Sequence, residues 1–234
     1  DIVTTGQAVV YYETKADNGD DKFTAGQATA YNSAKGTTYA AGDVRPESNS
    51  LFDQSTSGAS YGIQLNLDAD LKNGFTFGSQ LSYLGTAGLE KNLVSSTRQN
   101  VTDNSMTDIS DEIALTKIFI AKKVGNTTVK VGRQALPMSL SPLAFSEGWN
   151  VFENTFEAAL IVNSDIPDTL VVGAYVGQGN GSSGSNFATF GNLKAATQAG
   201  NANVDGTAYM LTVQNKSLPM TTVTASYYDL AKVG

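Results

Sequence analysis

The chain has 234 residues and a net charge of −7, from 15 basic and 22 acidic side chains. It contains no cysteine and no histidine, which excludes disulfide scaffolds, thiolate nucleophiles, Ser-His-Asp triads and imidazole metal sites. The acidic balance argues against nucleic acid as a partner, because duplex binding needs clustered Lys and Arg. A soluble domain, a secreted surface protein and a membrane protein built from strands remain.

The beginning of the chain leads directly into a strand. Residues 1–5 show neither the basic segment nor the apolar segment of a signal peptide. We therefore expect either a cytosolic protein or an envelope protein from which the signal peptide has already been removed. Residues 5–13 form the first predicted strand.

Residues 60–84 carry the clearest pattern, a strict alternation on both sides of a tight turn. Gln64, Asn66 and Asp68 share one face of the first strand, which we expect to be wet. The opposite face is apolar and holds Tyr61, Ile63, Leu65, Leu67, Ala69 and Leu71. Residues 72–74 (Lys-Asn-Gly) predict the turn, since Asn and Gly tolerate positive φ. Each strand has about ten residues, which matches the ~9–11 needed to cross a bilayer.

Three further hairpins bring the total to nine predicted strands. They span residues 112–124 and 128–134, 155–163 and 169–177, and 206–215 and 221–230. Short turns alternate with long connections rich in Gly, Ser, Asn and Thr, at residues 13–59, 85–111, 135–154 and 177–205. Such connections are unusual in a compact soluble domain but typical of outer-membrane barrels. We predict an all-β, antiparallel transmembrane β-barrel of porin type.

Aromatic side chains gather near the predicted strand ends, where barrels carry girdles at both membrane interfaces. Next to the long connections lie Tyr61, Tyr83, Tyr209 and Tyr227, together with either Tyr11 or Tyr12. Phe75 and Phe77 could belong to the opposite girdle. The alternative is that these aromatics are ordinary amphipathic surface residues.

Two strands need closer attention. In residues 155–163 we expect Glu157 on the wet face, opposite a lipid-facing set of Phe156, Ala158, Leu160 and Val162. In residues 113–124 both faces are apolar, and placing Lys117 in the lumen turns Leu115 inward as well.

Arg133 conflicts with the alternation of residues 128–134. Strict alternation places it on the lipid face with Val129 and Val131, where an Arg near the midplane costs about 2–4 kcal/mol. We expect a bulge at Gly132, or departure of the chain from the wall, to turn Arg133 inward.

Dispersed short motifs cover most of the chain. They are residues 129–134 (Val-Lys-Val-Gly-Arg-Gln), 141–143 (Ser-Pro-Leu), 154–157 (Asn-Thr-Phe-Glu) and 168–175 (Asp-Thr-Leu-Val-Val-Gly-Ala-Tyr), with Phe52 and residues 64–71. In combination they resemble the major outer membrane porins of the campylobacterial type (MOMP), which are related to OprD-like specific porins.

The resemblance implies a barrel of about 18 strands, commonly a homotrimer, that passes ions and small hydrophilic solutes across the outer membrane. Its partners would also include outer-membrane lipid and lipopolysaccharide. It implies a loop folded into the lumen, which corresponds to residues 136–154. We expect the pore constriction to contain Arg133, Glu147, Glu153 and Glu157. We expect the lumen wall to contain Lys117, Lys130, Gln64, Asn66 and Asp68. Opposed charges at a constriction set ion selectivity; alternatively, Trp149 and Pro142 pack the loop and the acids are simply solvated.

No cofactor is required by this interpretation, although the resemblance allows a lumenal cation. Asp17, Asp20 and Asp21 cluster in the first long connection, and Ca²⁺ prefers carboxylate ligands. Their spacing does not match an EF-hand loop, so a solvated acidic loop tip is the alternative.

The strand count raises the question of length, because bacterial single-chain barrels have an even number of strands. Nine strands in 234 residues give 26 residues per strand, so 18 strands would need about 468. We expect residues 1–234 to be a single porin domain that is incomplete at its C-terminus. The alternative is a ten-stranded barrel with one further strand at residues 23–31 or 187–195.

Two other functions stay open. One is a secreted or surface-layer β-rich adhesin, which would be soluble without detergent. The other is a glycosidase with two catalytic carboxylates, for which Asp68 and Asp70 are the nearest candidates. Two acids on one strand face are more simply a wet wall, so we do not predict an enzyme.

Overall fold

The computed structural model describes residues 1–14, 22–44, 57–89, 92–94, 111–148, 151–180, 188–196 and 203–230. This part of the chain contains one helix, α1 (Ala25–Lys35), and eleven strands. The strands are β1 (Ile2–Thr14), β2 (Ser57–Lys72), β3 (Phe75–Gly85), β4 (Glu112–Val124), β5 (Thr127–Gln134), β6 (Phe156–Asn163), β7 (Thr169–Asn180), β8 (Phe190–Ala196), β9 (Asn203–Gly206), β10 (Ala208–Asn215) and β11 (Val223–Leu230).

Nine strands form a continuous antiparallel meander in the order β1-β2-β3-β4-β5-β6-β7-β10-β11. The remaining two, β8 and β9, form a hairpin that branches from the end of β7. The nine predicted strands are therefore confirmed. Of the two alternative strands, residues 25–31 are helical and residues 190–195 belong to the branch. Within the described ranges, no helix is both long and apolar enough to span a membrane.

Short turns join the meander at one end of the sheet, the turn end, and long segments connect it at the other, the loop end. In the β2–β3 turn, Lys72, Asn73 and Gly74 all have positive φ, at 67°, 52° and 77°. This is the conformation that the Asn-Gly signal predicts.

Helix α1 lies in the connection between β1 and β2. It begins with a capping box, in which Thr24 and Gln27 bond reciprocally to each other's backbone N–H. The rings of Tyr31 and Tyr39 each lie 5.2 Å from the ring of Phe23. This connection therefore holds a small aromatic cluster of its own.

The strand register sorts the side chains onto two faces of the sheet. On one, Leu65 of β2 lies opposite Leu81 of β3; on the other, Gln64 lies between Gln7 and Ser82. We call the first the outer face and the second the inner face. Leu65 and Leu81 are 54% and 43% exposed. A continuous exposed apolar face indicates an apolar surrounding medium.

The buried core lies on the inner face. Residues 135–155, which we call the inner loop, connect β5 to β6 and cross this face. Val151 and Phe152 of the loop pack on β3 and β4, and Leu136 and Leu140 pack on β6, β7 and β10. One loop thus covers both halves of the sheet.

The orientation of β6 reverses the expectation from the sequence. Ala158 and Leu160 lie on the inner face, opposite Val176 and Ala174 of β7. Ile161 points outward and is 49% exposed. The prediction that Phe156, Ala158, Leu160 and Val162 face lipid is wrong, because the inner loop provides an apolar partner for them inside.

A bulge in β4 explains why both of its faces are apolar. Gln80 of β3 lies opposite Lys117, but the next residue, Leu81, lies opposite Leu115, so Thr116 is the extra residue. An extra residue shifts the alternation by one. Leu115 therefore points outward, which corrects the expectation that it points inward.

Candidate functional site

The inner loop is seated on the wall by a close contact at a glycine. The ring of Phe152 lies over Gly62 of β2, so closely that a Cβ there would stand 2.5 Å from ring carbons. At the other side of the sheet, the backbone N–H of Leu143 donates to the Tyr228 hydroxyl at 3.1 Å. A strand glycine often marks a close approach of this kind.

One predicted constriction residue contacts one predicted wall residue. Lys117 Nζ donates to Glu153 Oε1 at 2.7 Å, and both side chains are partly exposed. Glu153 lies on the inner loop and Lys117 on β4, so this ion pair joins the loop to the wall. It places a cation and an anion together on the inner face.

Lys130 lies on the same face, one strand further along. Its ammonium group stands 3.7 Å from the centroid of the Phe119 ring, a cation–π contact. Phe119 in turn covers Gly78, close to the carboxylate of Asp68. The inner face near Lys117 therefore carries two lysines and one acid, apart from Glu153.

Gln64 and Asn66 belong to a hydrogen-bonded network beneath the inner loop. Gln64 Nε2 donates to Ser82 at 3.0 Å, Gln80 Nε2 donates to Asn66 Oδ1 at 2.7 Å, and Thr116 Oγ1 donates to Gln80 Oε1 at 2.9 Å. Gln64 is only 3% exposed. It thus lies within a satisfied polar layer, whereas Asn66 and Asp68 are more open.

Glu147 is exposed on the inner loop, where its backbone N–H donates to Asn154 Oδ1 at 2.7 Å. In the described part of the chain, Arg133 pairs with Glu157 and Lys117 pairs with Glu153, and no ion pair joins Glu147 to Arg133. The four predicted constriction residues therefore do not form one cluster.

Arg133 and Glu157 lie on the outer face, not the inner one. Arg133 is opposite Ile118 on one side and Glu157 on the other, and the register of β5 continues through Gly132 without a bulge. Gly132 has φ 126°, a conformation open to glycine. The expected inward turn of Arg133 does not occur, and Glu157 faces outward with the rest of its strand face.

The β4 bulge gives Arg133 its role. The pairing of β4 with β5 ends at Ile118, so the carbonyls of Leu115 and Thr116 lie beyond the ladder. Arg133 Nη1 donates to the Leu115 carbonyl at 2.9 Å, and Thr155 Oγ1 donates to the Thr116 carbonyl at 2.8 Å. Arg133 therefore satisfies a backbone acceptor next to an irregularity.

The six predicted girdle aromatics all lie on the outer face. Tyr61 and Tyr83 share a hydrogen bond of 2.6 Å, and Tyr83 donates to Asp111 at 2.6 Å. Phe75, near the turn end, lies under the Lys122 ammonium group at 3.9 Å. The rest of the set is Phe77, Tyr209 and Tyr227. Of the two alternatives in β1, Tyr12 faces outward and Tyr11 inward.

Sequence reasoning missed the contacts that seat the loop. Phe152, Phe119 and Thr116 were not predicted as site residues, although Gly62 and Gly78 offered a signal, since glycines inside strands mark close approach.

Several predicted residues lie outside the described part of the chain. They are the calcium candidates Asp17, Asp20 and Asp21, together with Phe52 and Trp149. Among the residues that the structure describes, no group of three or more Asp, Glu, His or Cys side chains could hold a metal ion.

No protein-family model and no curated protein matches the sequence. Its fold, however, matches solved structures of OprD-like outer-membrane porins. OccK9 (OpdG) of Pseudomonas aeruginosa matches with TM-score 0.61 and 10% identity over 98% of this chain and 50% of its own. OpdK of the same organism, solved with vanillate, matches with TM-score 0.60 and 11% identity over 74% and 44%. OccAB3 of Acinetobacter baumannii matches with TM-score 0.54 and 16% identity over 75% and 44%. The chain spans half or less of the length of these proteins, and its fold is that of their barrel wall.

Proposed function

We propose that this chain forms part of an outer-membrane porin, a water-filled β-barrel for passive diffusion of ions and small hydrophilic solutes. The observation that carries the proposal is the contrast between the outer and inner faces of the sheet. An exposed apolar outer face backs onto an inner face that bears charged residues and an inward-folded loop. A secreted adhesin would expose this continuous apolar face to water, which is unfavourable. The proposal does not include catalysis.

The strand directions support a larger barrel. Ile2 at the start of β1 lies opposite Ala69 near the turn end, and Val223 at the start of β11 lies opposite Asn215 at the same end. Both edge strands therefore run toward the loop end and cannot pair antiparallel with each other. An odd number of further strands would close the barrel with an even total, as about 18 would.

Residues 136–154 would narrow the pore within one porin domain that includes residues 1–234. Lys117, Glu153 and Lys130 would line the passage, with Asp68 at its edge, while Arg133 and Glu157 would not. OpdK has been solved with vanillate, a carboxylate. By the same chemistry, Lys130 would attract small anionic solutes here.

The finer proposals rest on the resemblance of the motifs. They are membership of the campylobacterial type of porin, a homotrimeric assembly, contact with lipopolysaccharide, and calcium binding at Asp17, Asp20 and Asp21. Mass measurement of the detergent-solubilised protein would test the trimer, and calcium titration of the Asp20→Asn variant would test the metal.

Single-channel recording tests the central proposal. We expect the full-length protein, reconstituted in a planar bilayer, to give discrete conductance steps. Lys130→Gln should shift the reversal potential in a salt gradient toward cation preference, because it removes a charge from the inner face. Lys122→Gln, on the outer face, is the matched control and should leave the reversal potential unchanged. Folded, inserted protein without conductance steps would contradict the proposal.

A further inference from the structure

A row of three side chains, which we call the turn-end row, crosses the outer face at the turn end of β2 to β4. The register places Lys72 of β2 opposite Phe75 of β3, and Phe75 opposite Lys122 of β4. Phe75 is 40% exposed, Lys72 is exposed and Lys122 is half-buried. An accessible aromatic ring therefore lies between two cations at one level of the sheet.

The ammonium group of Lys122 is held in a fixed place. It stands 3.9 Å from the centroid of the Phe75 ring, and it donates to the carbonyl of Asn73 in the β2–β3 turn. Among the described residues, Asn73 is its only hydrogen-bond partner, and no described acid forms an ion pair with it. Because an ammonium group has three N–H donors, Lys122 retains donors for a further acceptor.

The surroundings of the turn-end row do not neutralise its positive charge. The acid nearest in sequence is Asp70, which accepts the backbone N–H of Lys72 at 2.8 Å and lies opposite Thr76, on the inner face. Among the described residues of β1 to β5, no Asp or Glu lies on the outer face at the turn end. Arg133, near the loop end, is by contrast paired with Glu157. The turn-end cations are therefore available to an anion from outside the protein.

Apolar side chains continue from the turn-end row toward the middle of the sheet. Phe77 lies opposite Ile120, and Ile120 lies opposite Val131. Ile120 and Val131 are each 48% exposed. Aromatic side chains at the strand ends of a barrel mark the headgroup level. Cations at this level next to an apolar surface match the two parts of a phospholipid, its phosphate and its acyl chains.

We propose that the turn-end row binds one anionic glycerophospholipid of the phosphatidylglycerol type. The phosphate would bind Lys72 and Lys122, and an acyl chain would lie along Phe77 and Ile120. The inference rests on the proposed porin function, in which the short turns face the periplasm and the phospholipid leaflet on that side. A zwitterionic lipid fits less well, since its ammonium group would meet two lysines and no acid on the outer face.

Native mass spectrometry of the full-length protein in mixed micelles tests the inference. With equal amounts of phosphatidylglycerol and phosphatidylethanolamine, we expect about 25-fold preferential retention of phosphatidylglycerol, since each of the two lysines contributes about fivefold. Lys122→Gln should lower the preference about fivefold, because it removes the cation that the Phe75 ring and the turn hold in place. The double variant, Lys72→Gln with Lys122→Gln, should retain the two lipids equally.

The matched control is Lys216→Gln, which removes an exposed cation from the β10–β11 turn, also at the turn end. Strands β5, β6 and β7 separate this turn from Lys122, so the lipid preference should stay unchanged. Heat-dependent gel mobility would verify that each variant is folded. Equal retention of the two lipids by the unaltered protein, an unchanged preference in Lys122→Gln, or an equal loss in Lys216→Gln would overturn the inference. Conductance steps in the same samples would show separately whether the proposed porin function holds.

Discussion

The two halves of the inner face differ in what lies beneath the inner loop. On β1 to β4 the loop packs through Val151 and Phe152 on a small apolar cluster that includes Leu84. Beside this cluster lies a network of amides and hydroxyls, including Gln64 and Thr116. On β6 to β11 the surface beneath the loop is apolar, with Val172 and Met210 in contact with the loop. The same loop therefore rests on a mixture of apolar and polar groups at one side and mainly on hydrocarbon at the other.

This difference between the halves explains in which strands the alternation of polar and apolar residues identifies the lipid-facing side. Where the inner face is polar, only one set of side chains can be apolar, and the pattern in β2 and β3 is unambiguous. Where the loop buries apolar side chains on the inner face, both faces of a strand are apolar, and alternation no longer shows which face contacts lipid. Glu157 illustrates the result, because its polarity suggested the lumen although it lies outside with Arg133.

A buried charge in the apolar half should have the largest effect. Val172 is 2% exposed, so Val172→Asp would place a carboxylate among apolar side chains. We expect a loss of about 3–5 kcal/mol in the free energy of unfolding, the usual effect of an uncompensated buried charge. Urea unfolding of the micelle-bound protein, followed by tryptophan fluorescence, would measure it.

The corresponding change in the polar half is Asn66→Asp, at a half-buried site. Its side chain can still accept the hydrogen bond from Gln80, so we expect a change of about 1 kcal/mol or less. Equal losses from the two variants would mean that the halves do not differ as described.

The next effect concerns the seat of Phe152. Gly62→Ala would force the ring away from β2, since the new Cβ would stand 2.5 Å from it. We expect a loss of about 1–3 kcal/mol from overpacking, together with a larger single-channel conductance as the loop is displaced. Gly26→Ala is the control, because nothing lies within 4 Å of that site in α1; it should be neutral or slightly stabilising.

Much of the fold could be predicted because it follows from local signals. The Asn-Gly turn at Asn73 and the alternation from Gly62 to Asp70 depend only on neighbouring residues. All nine wall strands were found for this reason. The helix at Ala25–Lys35 was missed because a weakly amphipathic stretch can suit either a helix or a strand, although Thr24 and Gln27 carried the capping signal.

The candidate site was less predictable, because it depends on contacts across the sheet. The bulge at Thr116 cannot be read from its sequence, yet it decides on which face Leu115 lies. Arg133 was predicted to face the pore because a charge in lipid is costly. In the structure it lies near the loop end, two residues beyond the level of Tyr175, and it donates to the Leu115 carbonyl, so this cost does not exclude an outward position. Lys117 and Glu153 were chosen individually, and only the folded loop shows that they meet.

A hydroxyl in the polar half should have a smaller effect than the glycine. Thr116 is 1% exposed and bonds to both Ser82 and Gln80. Thr116→Val keeps the shape but leaves these partners short of one hydrogen bond, which should cost about 1–2 kcal/mol. Thr224→Val, at an exposed site of β11, is the control and should change stability by less than about 0.5 kcal/mol. Urea midpoints would compare the two, and similar midpoints would argue against a buried network.

The smallest effect on stability should come from the ion pair between Lys117 of β4 and Glu153 of the inner loop. Lys117 and Glu153 are partly exposed, so either Lys117→Gln or Glu153→Gln should cost less than about 1 kcal/mol. Their effects on ion selectivity should nevertheless be opposite, because one removes a cation and the other an anion from the same passage. Reversal potentials in a salt gradient should shift toward cations for Lys117→Gln and toward anions for Glu153→Gln. The double variant should return close to the original value, and a shift of the same sign in both single variants would place the pair outside the conducting path.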